Sequence, residues 1–392
     1  MGHQEVTIKQ NNSWPKCPEY IYIHWPFCKN KCHYCDFISF EKHEDFIKKY
    51  HDALCNEIKN FSKKFCTKNI KTIFFGGGTP SLYPLDLLEE LFGVLKQSFN
   101  LENLEEVSIE LNPRDVTEEH LKVYKRLGIN RLSIGVQILD DEVLEKLNRK
   151  QNKEDVFYLI KIAPKYFDNI SVDLMLGLPG VSKEVWQDTL EKVVSWPIKH
   201  ISVHLLVVYE KTPLYFRLEK GDLNLCKESE TVSLYEDAVN FLNKNGLEQY
   251  EISNFAKNGF ESVHNKAYWD RKSYKGFGLG AASFDGSNRF INEKNLVRYV
   301  DSCNRSVDEP VCFKEELTEK QAFLEKLMLG LRQNKGMGLH GVLYFLSRGE
   351  REKFMNGLEE LKTQSLIKES GGNIALTLQG MLLENEVILK LF

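Results

Sequence analysis

Short apolar runs rich in β-branched and aromatic residues recur through the first half of the chain, separated by longer stretches with helical spacing. The runs Tyr20 to His24, Ile70 to Phe75, Val107 to Leu111, Arg131 to Gly135, Asn169 to Leu174 and His200 to Leu206 predict strands. After the first of them, Phe46, Ile47, Tyr50, Leu54 and Ile58 recur at three and four residues, and after the second Leu85, Leu88, Leu91 and Leu95 do the same. That spacing puts one apolar stripe on a helix. Regular alternation of strand and helix predicts parallel strands joined by crossover helices, an α/β fold.

Nearly every predicted strand runs into a polar or glycine-containing loop: Cys28 to Cys35, Gly76-Gly77-Gly78-Thr79-Pro80, Asn112-Pro113, Gln137, and Gly177-Leu178-Pro179-Gly180. In barrel-type α/β folds the C-terminal ends of the strands form the reactive face, so these loops would converge on one mouth. A doubly wound sheet is the alternative, but it concentrates chemistry at a single switch point. Past Lys211 the pattern changes, first to a helical stretch around Leu234 to Leu247 and then to a region dense in aromatics, glycine and asparagine from Tyr250 to Asn295. After Asp308 helices and short strands are expected, with Leu324, Leu327 and Leu331 on one face and further segments at Leu343 to Phe354, Leu358 to Leu361 and Ile374 to Leu383.

The composition, 42% hydrophobic and 28% charged over 392 residues, suits a protein with a large core. A net charge of −4 argues against a broad nucleic-acid footprint. Met1 to Lys16 lack the apolar core of a signal peptide and no later run approaches membrane-spanning length, so a cytoplasmic location is expected. Nine cysteines, odd in number and irregular in spacing, fit a reducing compartment better than a disulfide framework.

Cys28, Cys32 and Cys35 are set at intervals of four and three residues directly after the first strand. A four-iron cube takes one protein ligand per iron, so three clustered thiolates would leave one iron open to a reactant. Zinc is the competing reading, with His24 or His33 as a fourth ligand, although structural zinc normally uses two paired knuckles and no second one is present. Cys17, Cys55, Cys66, Cys226, Cys303 and Cys312 are scattered singly and are expected as small buried residues. The glycine run would let backbone amides approach a ligand. Glu110, Gln137, Arg149 and Asp173, at or soon after strand ends, together suit a zwitterionic ligand bearing hydroxyls.

Tyr22-Ile23-His24-Trp25-Pro26-Phe27-Cys28, the cysteine triplet with Tyr34 and Asp36-Phe37, and Gly76 to Ser81 resemble the radical S-adenosylmethionine (SAM) superfamily. Within it, Gly135-Val136-Gln137, Asp173 to Gly180 and His264-Asn265-Lys266-Ala267-Tyr268-Trp269 are similar to the oxygen-independent coproporphyrinogen III oxidases of porphyrin biosynthesis and their relatives. The resemblance covers about Tyr20 to Arg298 and, more loosely, the C-terminal part. It implies a partial (β/α)6 radical-SAM barrel with a smaller C-terminal winged-helix-like α+β domain. The corresponding division is a 1–19 N-terminal segment, a 20–248 core barrel, a 249–312 flanking region and a 313–392 C-terminal domain. It also implies a [4Fe-4S] cluster on Cys28, Cys32 and Cys35. SAM would be bound on its open iron and contacted by Tyr22, Gly77, Gly78, Thr79, Glu110, Gln137, Arg149 and Asp173, with Arg149 facing the methionyl carboxylate.

Two features choose between branches. The oxidases carry a further cysteine two residues after the third ligand, where this chain has Phe37, and an N-terminal extension that is short here. The His264-Asn265-x-x-Tyr268-Trp269 block is instead the mark of the heme-chaperone branch, the HemW type. That resemblance implies heme as cargo, with His264 as a candidate axial ligand. It implies heme-acceptor proteins as partners, respiratory ones and a peripheral membrane association among them, and no residue is assigned a catalytic role. Coproporphyrinogen oxidation stays as the alternative, and the oligomeric state is left open. Trp25 and Ile138-Leu139 depart from the usual family residues.

Overall fold

The computed structural model describes residues 17–65, 69–305 and 309–392; Cys66 and most of the 1–19 segment lie outside them. Six parallel strands form the centre in sequence order: β1 (Tyr20–Trp25), β2 (Thr72–Gly77), β3 (Glu106–Leu111), β4 (Arg131–Gln137), β5 (Asn169–Leu176) and β6 (His200–Leu205). Crossover helices follow the apolar stripes. Ile47–Lys64 buries Tyr50, Leu54, Ile58 and Phe61, and Leu85–Ser98 buries Leu88, Leu91 and Leu95. Fully burying one such side chain contributes about 1.5–3 kcal/mol, so the outer face of the sheet carries most of the packing energy.

Each central strand alternates. Ile73 and Phe75, Val107 and Ile109, Leu132 and Ile134, and Ile201 and Val203 are buried in the helix-facing core. Thr72, Glu106, Ser108, Arg131, Ser133, Ser171, His200 and Ser202 take the intervening positions, and they are buried and polar. A period of two therefore gives the sheet an apolar outer face and a polar inner one.

The strands continue past both edges of the six. β7 (Glu248–Gln249) and β8 (Asn254–Ala256) pair antiparallel beyond β6. On the other side β9 (Tyr274–Phe277) runs parallel to β1, followed by β10 (Ala282–Phe284), β11 (Asn288–Asn292) and β12 (Val311–Glu316) in antiparallel order. β12 spans the expected division at 312/313, and its residues belong to the large sheet. The helix Val263–Trp269 lies against the inner face near the N-terminal ends of the strands.

The C-terminal part has its own core, built on Phe323, Leu327, Leu331, Phe354, Leu358 and Ile374. Helices surround a three-stranded antiparallel sheet of β13 (Met337–Gly338), β14 (Ile367–Ser370) and β15 (Asn373–Leu376) in the order β13-β15-β14. The segment Leu343 to Phe354 is broken at Leu346 and Ser347, where one helix ends and Ser347 caps a new one through reciprocal bonds with Glu350. Arg271 to Glu325 at 2.9 Å and Lys335 to Asp270 at 2.8 Å tie this part to the barrel.

Cys55 and Cys303 are buried as expected, Cys17 and Cys226 are half-buried, and Cys312 is exposed because it lies near the start of β12, close to the edge of the sheet. No described helix is long and apolar enough to cross a membrane.

A buried ion pair fastens β9 to the first crossover helix. Lys275 and Glu57 are both 0% exposed and 3.8 Å apart, and Lys275 also meets Glu309 at 2.7 Å. Glu57 further accepts from Tyr299 Oη, Asn292 Nδ2 and the Gly278 amide. Removing one partner of such a pair leaves a buried charge uncompensated, so Lys275→Met should lower unfolding stability by at least about 3 kcal/mol. Adding Glu57→Gln should recover part of the loss. A single variant within about 1 kcal/mol of the parent in urea unfolding would contradict this reading.

Candidate functional site at the strand C-termini

The chain leaving β1 folds into the cysteine loop, which the neighbouring strand ends hold in place. The Cys28 amide donates to Phe40 O at 2.9 Å and the Phe40 amide to Pro26 O at 2.7 Å, closing the loop on itself. Lys29 pairs with Asp115 beyond β3 at 2.6 Å, and Asn148 Nδ2 beyond β4 donates to Lys31 O at 2.9 Å. The glycine run after β2 lies against this loop. The Gly78 amide donates to Trp25 O at 2.7 Å, the Thr79 amide to Phe27 O at 3.0 Å, and Thr79 Oγ1 to Cys28 Sγ at 3.3 Å. A Cβ at Gly78 would come within 2.9 Å of Cys28 Sγ, and Gly77 has φ +120 with a would-be Cβ 2.7 Å from the His24 ring. Glycine is therefore needed for close approach of two loops, and the Gly78 and Thr79 amides are already used within the protein.

The three thiols feel one another. Burial pushes the Cys28 and Cys35 thiols up, and the charge of neighbouring cysteines adds to the shift in both. Even so, among the described residues no three His, Cys, Asp or Glu side chains converge closely enough to hold a single metal ion. Of the two histidines, His24 has both ring nitrogens engaged, Nε2 donating to Ile38 O at 2.8 Å and Nδ1 3.1 Å from Tyr22 Oη, and His33 Nδ1 lies 3.2 Å from Lys146 O. Zinc requires ligands meeting at one point, whereas a cube takes each thiolate at a separate iron. The donor set fits the cube.

Arg149 lies beside the loop. Its Nη1 is 3.7 Å from Cys32 Sγ and 3.5 Å from Tyr34 Oη, while Nη2 donates to Gly135 O at 2.6 Å and Nε to Gln151 at 2.9 Å. Burial disfavours its charge, but the Tyr34 phenol and the Cys32 thiol outweigh that and keep it cationic. At the end of β4 the pairing with β5 slips by one residue between Gly135 and Gln137, and Gln137 is left-handed at φ +69. For a non-glycine residue that conformation costs about 1–2 kcal/mol and marks a constrained site.

Two carboxyls face the same mouth from β3 and β5. Asp173 receives the Ser133 hydroxyl on both oxygens, at 3.1 and 2.9 Å. Glu110 is partly buried and makes no ion pair among the described residues. Burial first and the charge of Asp173 second push it up to about 8, against a backbone bond from Gly77 and the charge of Arg131. The Tyr22 ring lies close to Glu110 across Gly76, and Tyr22 Oη is 3.1 Å from His24 Nδ1. A partly buried carboxyl that makes no ion pair suits a ligand that brings its own donors.

His264 lies elsewhere. It is 1% exposed on the helix Val263–Trp269, with Nδ1 2.6 Å from Thr72 Oγ1 at the N-terminal end of β2 and Nε2 2.8 Å from Tyr268 Oη. Burial lowers its pKa to about 3, so the ring is neutral. Both ring nitrogens of this candidate axial ligand are engaged by hydroxyls in this arrangement. His264 belongs to a polar floor that the sequence reading missed. Glu106 accepts from Ser262 Oγ and the amides of Val263 and His264, and Tyr250 joins His200 Nε2 to the Ser262 amide. Period-two polar positions in β2, β3, β4 and β6 were the available signal.

The departures from the family pattern also find their places. Trp25 is fully buried and stacks on Tyr83 at 3.9 Å on the helix side, and Ile138 and Leu139 are buried in the same core. Phe37, by contrast, is 68% exposed.

The radical SAM superfamily matches residues 22–193. A protein of Bacillus subtilis named heme chaperone HemW is 37% identical over 93% of this chain and 97% of its own length. One of the same name from Lactococcus lactis is 32% identical over 95% of this chain and 97% of its own. Among solved structures, coproporphyrinogen III oxidase (HemN) from Escherichia coli superposes with a TM-score of 0.83 at 22% identity, covering 95% of this chain and 90% of that one, a likeness of fold. With three thiols on the loop after β1 and two carboxyls across the mouth, this near full-length similarity shows that the chain belongs to the radical SAM superfamily and, within it, to the family of the heme chaperone HemW proteins.

Proposed function

We propose that this protein is a cytoplasmic heme chaperone that holds a [4Fe-4S] cluster and SAM and passes heme to acceptor proteins. The observation that carries the reading is the conjunction of a three-thiol loop with a partly buried carboxyl that makes no ion pair among the described residues, in a chain alike over nearly its whole length to proteins named heme chaperones. Cys28, Cys32 and Cys35 would take the cluster. When bound, a reduced cluster and the sulfonium nucleotide together supply carbon–sulfur bond cleavage. The chain's own part is placement and charge. Arg149, fixed by Gly135 O and Gln151, presents a guanidinium suited to a carboxylate. Asp173, oriented by Ser133, accepts from hydroxyl or ammonium donors, and Glu110 does so from the adjoining strand end. Tyr22, Gly77, Gly78, Thr79 and Gln137 complete the walls of that mouth.

Anaerobic reconstitution followed by two assays on one preparation tests the reading. Hemin titration should produce a Soret band, and coproporphyrinogen III with a reductant should yield no protoporphyrinogen. His264→Ala should leave the heme spectrum unchanged. Turnover without heme uptake would favour the oxidase reading, to which the exposed Phe37, standing where the oxidases have cysteine, is opposed.

A further inference from the structure

A cleft of about 290 Å³ opens beside the cysteine loop, away from the carboxyl-lined mouth. Phe40, His43 and Phe46 line it from the segment following the cysteines, and Lys294, Leu296 and Val297 from the segment following β11. His43 lies between two aromatic rings, with centroids 5.2 Å from Phe40 and 6.2 Å from Phe46. Its Nδ1 is 2.7 Å from Glu41 O. A carbonyl only accepts, so Nδ1 carries the proton and Nε2 of the neutral ring keeps its lone pair. No group among the described residues bonds that Nε2. A backbone carbonyl fixing one ring nitrogen while the other points to open space is how proteins hold an imidazole for a metal.

Cations flank the apolar slot. Lys294 lines it and makes no ion pair among the described residues, and Lys49 Nζ lies 5.3 Å from the centroid of Phe46. We propose that this cleft seats the heme, with His43 Nε2 on the iron, Phe40 and Phe46 against the macrocycle, and Lys294 and Lys49 facing its propionates. The inference rests on the chaperone reading and gives it a site. Iron wants the imidazole, a flat apolar ring wants the phenylalanines, and two carboxylates at one edge want two ammonium groups. The cleft is too small to enclose a whole tetrapyrrole, and Val297 on its rim is 52% exposed, so the cargo stays partly uncovered. A cargo that must be surrendered suits such a seat. Phe40 also exchanges backbone bonds with Pro26 and Cys28, so this wall is continuous with the first cluster thiol.

The test is hemin titration of the full-length, anaerobically reconstituted protein, followed by difference absorbance and low-temperature EPR. The parent should show a histidine-ligated ferric heme. His43→Ala should weaken binding about tenfold or more and shift the Soret band, and added imidazole should restore the band. His43→Met, which keeps bulk and offers a thioether, should shift the band without abolishing uptake. Lys294→Ala should weaken binding while leaving the band position unchanged. Cluster absorbance equal to the parent in each variant shows that the fold is intact. His43→Ala with the parent's affinity and Soret position would overturn the site and leave the chaperone reading standing. A parent that takes up no hemin would sink both.

Discussion

Cys32→Ala abolishes cluster assembly. Reconstituted anaerobically with iron and sulfide, the parent should take up about four irons per chain, and the variant should take up little and lose the brown absorbance. Cys28→Ala and Cys35→Ala should behave alike, because on the proposed reading each thiol would serve its own iron and no other described cysteine belongs to that loop. The remaining described cysteines supply the control. Cys55 and Cys303 are buried in the core, where burial pushes Cys55 up to about 11 and Cys303 higher still. Thiols so reluctant to ionise make poor ligands, so Cys55→Ala and Cys303→Ala should keep the full complement of iron. The contrast also separates cluster from zinc. A Cys32→Ala protein that still assembled four irons, or a parent that bound one zinc tightly, would remove the basis of the functional assignment. The surroundings agree with the expected outcome, since Thr79 Oγ1 donates to Cys28 Sγ and the Arg149 guanidinium approaches Cys32 Sγ. The Thr79 contact favours the thiolate at Cys28, against the burial that raises it.

The central strands were legible because burying one face of a parallel sheet demands Ile, Val, Leu and Phe at every second position, as in Val107, Ile109, Leu132 and Ile134. The edge strands were not. β7, β8 and β10 have two or three residues each, and β11, Asn288–Asn292, is largely polar, so neither length nor alternation sets them apart from loop. The thiols and carboxyls were legible from their position after strands. Their bonding was less so: Gly78 is glycine for the sake of Cys28 Sγ, a neighbour on a different strand's loop. His264 shows the limit most clearly. Its spacing from Tyr268 and Trp269 reads as an aromatic heme seat, but only the tertiary fold reveals that its helix meets Thr72 and Glu106 at the floor, where the imidazole is spent on hydrogen bonds. His43, eight residues past Cys35, carries no motif at all, and its free nitrogen is visible only once Glu41 O is placed.

Glu110→Gln makes the cluster-loaded, nucleotide-free protein more stable at alkaline pH. In the folded chain burial and the neighbouring Asp173 raise this carboxyl from an ordinary 4.5 to about 8. Between those values the unfolded chain has released the proton and the folded chain has kept it. Folding stability therefore falls as pH rises through this window, by about 1.36 kcal/mol per unit and roughly 4–5 kcal/mol in all. Glutamine has no proton to lose, so its curve should be flatter from pH 5 to 8. The two proteins should differ by less than about 1 kcal/mol near pH 5 and by several near pH 8 in urea unfolding. Asp173→Asn should move the upper edge of the window down, because it removes the charge that helps hold the proton on Glu110. Parallel curves for parent and Glu110→Gln would show that the carboxyl is ionised in the folded chain and already has a partner. The expected slope has a functional meaning: stability is given up to keep an unpaired carboxyl at the mouth. A ligand arriving with an ammonium or hydroxyl donor would then draw Glu110 into its ionised form, and its binding should release a proton and tighten with rising pH up to about 8.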